Sequence, residues 1–208
     1  LALEKAGFLC VNTAQATVLA NDKYASFLFL QRLGIKTPKT FCLSGLQDDF
    51  LKNSTSKNPV DFPLLIKPQF GSRGRGLKLV RTNEDLAEFY RQEQEEAFIG
   101  QEFISKSWGR DYRFFFVKGR IIAAVERCGQ NDSFISNTST GGTMKLLKRP
   151  PWWMPRRNLA AFETIVHQIC KESALFYGSV DFLLSADGPL VCEINASPGF
   201  EALEQATQ

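Results

Sequence analysis

The chain has 208 residues, of which 44% are hydrophobic and 23% charged, and its formal net charge is +3. This composition is typical of a globular protein with a sizeable core, and so small a charge does not by itself favour nucleic acid or membrane surfaces as partners. No apolar run approaches the roughly 20 residues that a membrane-spanning helix needs, and no charged-then-apolar signal segment opens the chain. We therefore expect no membrane association.

Cysteine usage predicts a reducing environment. Most of the cysteines lie within apolar runs, their number is odd, and no two form a CxxC pair. These features predict reduced thiols in the core of a cytoplasmic protein. The five positions are Cys10, Cys42, Cys128, Cys170 and Cys192.

A helix is predicted near the start of the chain. Residues 22–33 carry an apolar face, Asn21 or Asp22 provides the N-cap, and Gly34 ends the helix. A short strand over residues 40–43 follows it.

A glycine-rich stretch joins two predicted strands, residues 62–67 and 77–80. Lys67 ends the first strand, where partial burial of its ammonium requires an anionic partner. Glycines permit the tight backbone geometry that brings amide groups close to a phosphate, although a flexible hairpin tip explains the same residues without a ligand. The candidate phosphate-binding positions are Gly71, Ser72, Gly74 and Gly76.

The middle of the chain alternates helices and strands. Residues 83–95 predict a capped helix and residues 97–104 a strand. Residues 111–126 predict a hairpin with its turn at Lys118 and Gly119.

The second half continues with a polar loop over residues 130–143, a long helix over residues 155–176 and a hairpin over residues 179–195. Hairpins with separate helices predict an α+β fold, and we expect two lobes that divide near Glu102.

The last hairpin predicts a metal site. Its apolar residues alternate with polar ones, so one register buries a wholly apolar face. A turn centred on Asp187 then gives these cross-strand pairs: Asp181 with Glu193, Phe182 with Cys192, and Val180 with Ile194.

In that register two carboxylates repel each other across the strands, and Asn195 lies on the same face. A bound cation relieves this repulsion, and three oxygen donors suit magnesium. Two alternatives stay open. The face is solvated without a metal, or a two-residue Asp187-Gly188 turn places Asp181 and Glu193 on opposite faces.

Several short motifs occur in a fixed order: Asn21-Asp22-Lys23, Leu65-Ile66-Lys67-Pro68 with the glycine-rich stretch, Gln101-Glu102-Phe103-Ile104, Asp111-Tyr112-Arg113, and the run from Glu193 to Phe200. This order resembles that of the ATP-grasp ligases. The closing residues 195–207 resemble the RimK branch, which includes ligases that add glutamate to the tail of a ribosomal protein. The resemblance covers nearly the whole chain, and the order of the motifs is its specific feature.

The resemblance implies a role for each matching position. The implied nucleotide contacts are Lys23 and Lys67 with the phosphates of ATP, Glu102 and Phe103 with adenine, and Asp111 with ribose. The implied ligands of magnesium, or of manganese in its place, are Asp181, Glu193 and Asn195, the set that the hairpin predicts. The implied catalytic groups, which face phosphate or substrate, are Arg127 and Asn137.

The resemblance also implies the ATP-grasp fold, in which two α/β lobes hold the nucleotide between them. Residues 1–20 are expected to be the tail of a mostly missing N-terminal lobe, residues 21–101 the central lobe, and residues 102–208 the C-terminal lobe. One position departs from the pattern, because the ribosomal-protein ligase has arginine where this chain has Ile135. The identity of the acceptor therefore stays open.

The implied function is an ATP-dependent carboxylate–amine ligase that works through an acyl phosphate. The implied partners are glutamate or a similar acidic amino acid, a protein tail such as that of a ribosomal protein, or a small amine. A homo-oligomer is compatible with the sequence.

Two other functions stay open. Residues 145–157 interleave basic side chains with Trp152 and Trp153, which is typical of an RNA- or ribosome-binding module, but a proline-bounded loop packed on the protein is the preferred explanation. A catalytically inactive relative would bind nucleotide only. The intact set of Lys67 and the metal-ligand candidates disfavours that reading.

Overall fold

The structure is a computed structural model that describes residues 1–43, 61–71, 76–93, 97–131, 133–136, 141–147, 156–201 and 203–204, with the backbone alone for residues 156–159. Its helices are α1 (Ala2–Lys5), α2 (Ala14–Asn21), α3 (Lys23–Arg32), α4 (Asn83–Gln92) and α5 (Arg156–Ser173), with a 3-10 turn at Ser105–Ser107. Its strands are β1 (Thr40–Cys42), β2 (Leu64–Pro68), β3 (Lys78–Val80), β4 (Phe98–Glu102), β5 (Arg110–Val117), β6 (Arg120–Cys128), β7 (Thr143–Leu146), β8 (Tyr177–Ser185) and β9 (Gly188–Asn195).

These strands form two antiparallel sheets. One has four strands in the order β1-β4-β2-β3, and the other has five in the order β7-β6-β5-β8-β9. Helices and antiparallel sheets together confirm the predicted α+β class. Within the part of the chain that the structure describes, no helix is both long enough and apolar enough to cross a membrane.

The predicted first helix is α3, and Asp22 caps it as expected. The Asp22 carboxylate accepts hydrogen bonds from the backbone amides of Tyr24 and Ala25, both at 3.0 Å. The side-chain amide of Gln69 donates to the same carboxylate at 3.0 Å, and the backbone amide of Lys23 donates to the Gln69 carbonyl at 3.1 Å. The start of α3 is therefore fixed to the end of β2, beside the glycine-rich stretch.

The predicted central hairpin is formed by β5 and β6. Its two turn residues, Lys118 and Gly119, have φ angles of 50° and 73°, the succession of positive values that suits a two-residue hairpin turn. Strand β7 pairs with the outer edge of β6 and is not predicted from the sequence. Its first residue, Thr143, falls in the predicted polar loop, and four residues are too few to show a period.

Two apolar cores stabilise the two sheets. Phe114, Phe162 and Phe182 pack together in the larger core with ring centroids 4.7, 4.9 and 5.1 Å apart. Phe89 and Phe98 meet edge to face at 4.9 Å in the smaller core, beneath the four-stranded sheet. Residues of α2 and α3 belong to the larger core. The domain boundaries at residues 21 and 102 stay a prediction.

The last hairpin pairs Asp181 with Glu193 as predicted. The predicted pairing of Phe182 with Cys192 is wrong, because Phe182 pairs with Val191 instead. The register shifts between Asp181 and Phe182, which makes a bulge on the opposite strand at Cys192.

The length of the turn explains this bulge. Ser185 pairs with Gly188, so the turn holds two residues, and that register alone would set Asp181 against Cys192. The extra residue at the bulge restores the opposition of Asp181 and Glu193. The two carboxylates therefore share a face because of an irregularity that the alternation of residue types does not reveal.

All five cysteines are free. Cys170 is buried in the larger core as predicted, but the other four are half-buried, so the expectation of core thiols is wrong for them. At Cys192 the bulge is the physical reason, because it turns the thiol towards a cleft instead of the core.

Gly76 yields a test of the backbone beside the glycine-rich stretch. Its φ is +71°, and an added Cβ would lie 2.8 Å from Pro68 Cγ. Left-handed backbone and this contact together predict that Gly76→Ala lowers the free energy of unfolding by about 1–3 kcal/mol, as measured by urea denaturation. Gly199→Ala is the control, because nothing lies within 4 Å of a Cβ added there. Equal losses in the two variants would contradict this account.

Candidate active site

A cleft of about 930 Å³, including its solvent-open part, lies between the two sheets. Strands β2 and β4 line one side, and strands of the five-stranded sheet line the other. The predicted site residues that line it are Lys23, Lys67, Gly71, Glu102, Phe103, Asp111, Arg127, Asp181 and Glu193. The structure thus brings together residues that are far apart in the chain, and Ile135 joins them in the lining.

The remaining predicted site residues lie elsewhere. Gly76 and Asn195 are described but do not line this cleft. Ser72, Gly74 and Asn137 lie outside the described residues, as do residues 148–155, which carry most of the expected RNA-binding segment.

Four charged side chains form a buried chain of ion pairs on the cleft face of the five-stranded sheet. The Asp181 carboxylate accepts hydrogen bonds from Arg113 Nε and Nη2, both at 2.7 Å, and from Arg127 Nη2 at 2.7 Å. Arg127 also donates from Nε and Nη2 to Asp111, at 2.6 and 2.8 Å. The Ser136 hydroxyl donates to Asp111 as well. Paired arginines of this kind are strong, directional donors.

This pairing keeps Asp181 and Arg127 ionised. Burial disfavours the charge on Asp181, but the guanidinium groups of Arg113 and Arg127 outweigh it and lower the pKa of the carboxyl to about 2. Burial likewise disfavours the charge on Arg127, but Asp181 and Asp111 raise its pKa above the ordinary value. The two arginines balance the two aspartates, so the network as a whole is neutral at physiological pH.

The positive charges of two lysines on the cleft wall are less fully balanced by acidic groups. Lys67 is 8% exposed, and its Nζ lies 3.5 Å from the sulfur of Cys192, a neutral thiol whose pKa is raised by burial. Lys23 Nζ donates to the Gly71 carbonyl at 2.6 Å and lies 3.9 Å from Glu193 Oε1. Burial lowers the pKa of Lys23. The Glu193 carboxylate raises this pKa, and the neighbouring Lys67 ammonium lowers it further. An anion between the two ammonium groups would favour both charges.

Three aromatic rings cluster beside the cleft. The ring of Phe103 lies 5.5 Å from that of Trp108 and 6.3 Å from that of Phe134, in edge-to-face contacts. Phe103 and Phe134 line the cleft. Of the three, sequence reasoning identified Phe103 alone, because the other rings come from separate segments and share no spacing with it.

The predicted metal ligands are two carboxylates and an amide. Asp181 Oδ1 accepts one hydrogen bond and keeps a lone pair, whereas Oδ2 accepts two, and Glu193 lies directly across the strands. The Asn195 Nδ2 atom is buried and makes no hydrogen bond to a described residue, so the nitrogen end of the amide has no partner among them. The described residues hold no group of three or more His, Cys, Asp or Glu side chains suited to a metal. This oxygen donor set fits magnesium.

Residues 20–208 match the RimK-like ATP-grasp domain family. The chain belongs to this family. The predicted resemblance is thereby confirmed, and with it the ATP-grasp fold. Among solved structures, the D-alanine–D-alanine ligase of Bacillus anthracis in complex with ATP has a TM-score of 0.71 and 18% identity, and the match covers 97% of this chain and 64% of that one. At this identity the likeness shows the fold alone.

Two curated relatives of this RimK-like domain are informative. A probable α-L-glutamate ligase of Cellvibrio japonicus is 34% identical over 207 residues, which cover 98% of this chain and 64% of that protein. The β-citrylglutamate synthase B of Danio rerio is 32% identical, with 98% of this chain and 48% of that protein covered. The chain therefore spans about half to two thirds of the length of these relatives.

The ion-pair network predicts a large effect of Arg127. Removing its charge in Arg127→Met leaves Asp111 without its guanidinium partner and takes one guanidinium from Asp181, so we expect a loss of about 3–5 kcal/mol in the free energy of unfolding. Arg110→Met is the control, because Arg110 is 55% exposed and lies 3.4 Å from Glu126, and such a surface pair contributes about 0–1 kcal/mol. Urea denaturation of both variants checks this. A loss at Arg127 no larger than that at Arg110 would show that the network does not stabilise the fold.

Proposed function

We propose that this chain is the catalytic part of an ATP-dependent ligase that joins a carboxylate to an amine through an acyl phosphate. One observation carries the proposal. The cleft of this RimK-like ATP-grasp domain places the ammonium groups of Lys23 and Lys67 beside the opposed carboxylates Asp181 and Glu193. The ammonium groups suit the phosphates of ATP, and the carboxylates suit the cation that accompanies them.

The proposed reaction solves a leaving-group problem. A carboxylate acylates an amine poorly at neutral pH because its oxygen is too basic to leave. In the first step the carboxylate oxygen bonds the γ-phosphorus and the bond to the β,γ-bridging oxygen breaks, which releases ADP. In the second step the amine nitrogen bonds the acyl carbon, phosphate leaves with the former carboxylate oxygen, and the nitrogen loses a proton. The protein contributes mainly positioning and charge neutralisation.

The basic residues of the cleft have distinct proposed tasks. Lys67 and Lys23 hold the phosphates. Among the described residues, the hydrogen bonds of Arg127 use Nε and Nη2, which leaves the two Nη1 protons for a phosphate or substrate oxygen. Because Asp111 and Asp181 fix its guanidinium in place, Arg127 needs little reorganisation when negative charge develops, and such preorganisation favours the transition state.

The remaining assignments follow the family pattern. We propose that Glu102 and Phe103 contact adenine, that Asp111 contacts ribose, and that the glycine-rich positions approach the phosphates. Asp181, Glu193 and Asn195 would hold magnesium, or manganese in its place, which neutralises phosphate charge when bound. Asn137 would face the substrate.

The substrate class follows from the relatives. Their names, an α-L-glutamate ligase and a β-citrylglutamate synthase, both contain glutamate, so we propose glutamate or a similar acidic amino acid as one substrate. The acceptor is a protein tail or a small molecule. Five free cysteines suit the reducing cytoplasm, where we place the protein.

Nucleotide binding is tested by thermal melting with a non-hydrolysable ATP analogue. At about 100 times its dissociation constant, the analogue with magnesium should stabilise the chain by about 2.7 kcal/mol. Lys67→Met should remove most of this shift, because it removes a buried phosphate contact. Lys78→Met is the control, since Lys78 is exposed and donates to Gln92 at 3.0 Å, away from the cleft. The nucleotide assignment would be wrong if both variants kept the full shift.

The chemistry is tested by trapping the acyl phosphate with hydroxylamine. With ATP, magnesium and glutamate or an acceptor carboxylate, we expect hydroxamate and ADP in equal amounts, and at least about a tenfold loss in Glu193→Gln. A chain that binds the ATP analogue but forms neither product with any carboxylate offered would support nucleotide binding without ligation.

A further inference from the structure

Two buried polar atoms of the last hairpin make no hydrogen bond to a described residue. They are Ser179 Oγ and Asn195 Nδ2. Ser179 is 0% exposed, so water does not reach its hydroxyl. Buried polar groups are rarely left without partners in native proteins, because each such group loses its hydration without replacement. An orphaned pair of this kind requires a physical reason.

The two residues are direct neighbours across the sheet, since Ser179 on β8 pairs with Asn195 on β9. Side chains of directly paired residues project from the same face, with Cβ atoms about 4.5–5.5 Å apart. Alternation along β8 places Ser179 on the face that carries Asp181. The hydroxyl and the amide therefore lie within reach of each other, next to the opposed carboxylates.

The two orphaned atoms are chemically complementary. Asn195 Nδ2 can only donate, while a serine oxygen has two lone pairs that accept. An amide presents oxygen at one end and N–H groups at the other, and only the oxygen end can bind magnesium. A partner that accepts from Nδ2 decides which end faces the cation.

We propose that Ser179 is a positioning residue for the cation site: its hydroxyl accepts a hydrogen bond from Asn195 Nδ2 and so directs Asn195 Oδ1 to the ion held by Asp181 and Glu193. The inference rests on the proposed function, because it requires that the last hairpin binds magnesium. Neither atom has a hydrogen-bond partner among the described residues, so each is available for this bond. Partners that orient a ligand in this way commonly change metal affinity about 10–100-fold.

The test is Ser179→Ala, with Mn²⁺ binding measured by electron paramagnetic resonance in the presence of a non-hydrolysable ATP analogue, a readout that needs no turnover. We expect about tenfold weaker Mn²⁺ binding. Affinity for the analogue without metal should not change. The melting temperature of the metal-free chain should be unchanged or higher, because the deleted hydroxyl has no described partner. The matched control is Ser185→Ala at the turn end of β8, where the hydroxyl donates to the Gly188 carbonyl at 2.8 Å. Its Mn²⁺ affinity should equal that of the wild type.

A second variant shows whether Ser179 acts through Asn195. In an Asn195→Ala background, Ser179→Ala should cause no further loss of Mn²⁺ affinity. The proposal is overturned if the single Ser179→Ala variant binds Mn²⁺ as tightly as the wild type, or if its tenfold loss persists without the asparagine. A wild-type chain that binds no Mn²⁺ with the analogue overturns the proposed function itself, which separates the two failures.

Discussion

The ion pairs between neighbouring strands of the five-stranded sheet are the constraint on which the rest of the site depends. Arg113 pairs with Asp181 across β5 and β8, and Asp111 with Arg127 across β5 and β6, so each contact joins residues in direct register. A charge buried without a partner costs several kcal/mol. A slip of one residue in any of these strands would turn charges into the phenylalanine core, and the network therefore fixes both the register and the face that meets the cleft.

The same network gives the proposed nucleotide site its electrostatic character. Its two arginines and two aspartates cancel. Of the other charged groups that line the cleft, Lys23 and Lys67 are matched in number by Glu102 and Glu193, so the two ammonium groups favour a phosphate once a cation neutralises Glu193. Asp181 has a double task in this account, because it holds two guanidinium groups in the free protein and would share its oxygens with a cation when ATP binds. Binding then redistributes existing ion pairs.

The sequence predicts those structural features that depend on residue type and on the alternation of apolar and polar residues. The alternation of apolar residues predicts that Asp181 opposes Glu193, but the structure reaches this pairing only through the bulge at Cys192. Asp22 caps a helix because its side chain suits that position. The bulge at Cys192 was beyond prediction, since it depends on the number of residues in the turn. The ion-pair partners of Arg113 could not be predicted either, because an outward-facing arginine gives the same sequence pattern whether it is solvated or ion-paired. The cluster of Phe103, Trp108 and Phe134 exists only through tertiary packing.

The central claim is that one face of the last hairpin binds the cation of a nucleotide in this cleft. Anomalous diffraction from crystals grown with Mn²⁺ and a non-hydrolysable ATP analogue tests it most directly. The account predicts one strong peak within ligand distance of both Asp181 and Glu193, with the phosphates against Lys67. A nucleotide bound elsewhere, or phosphates in the cleft with no ion between those carboxylates, would contradict it.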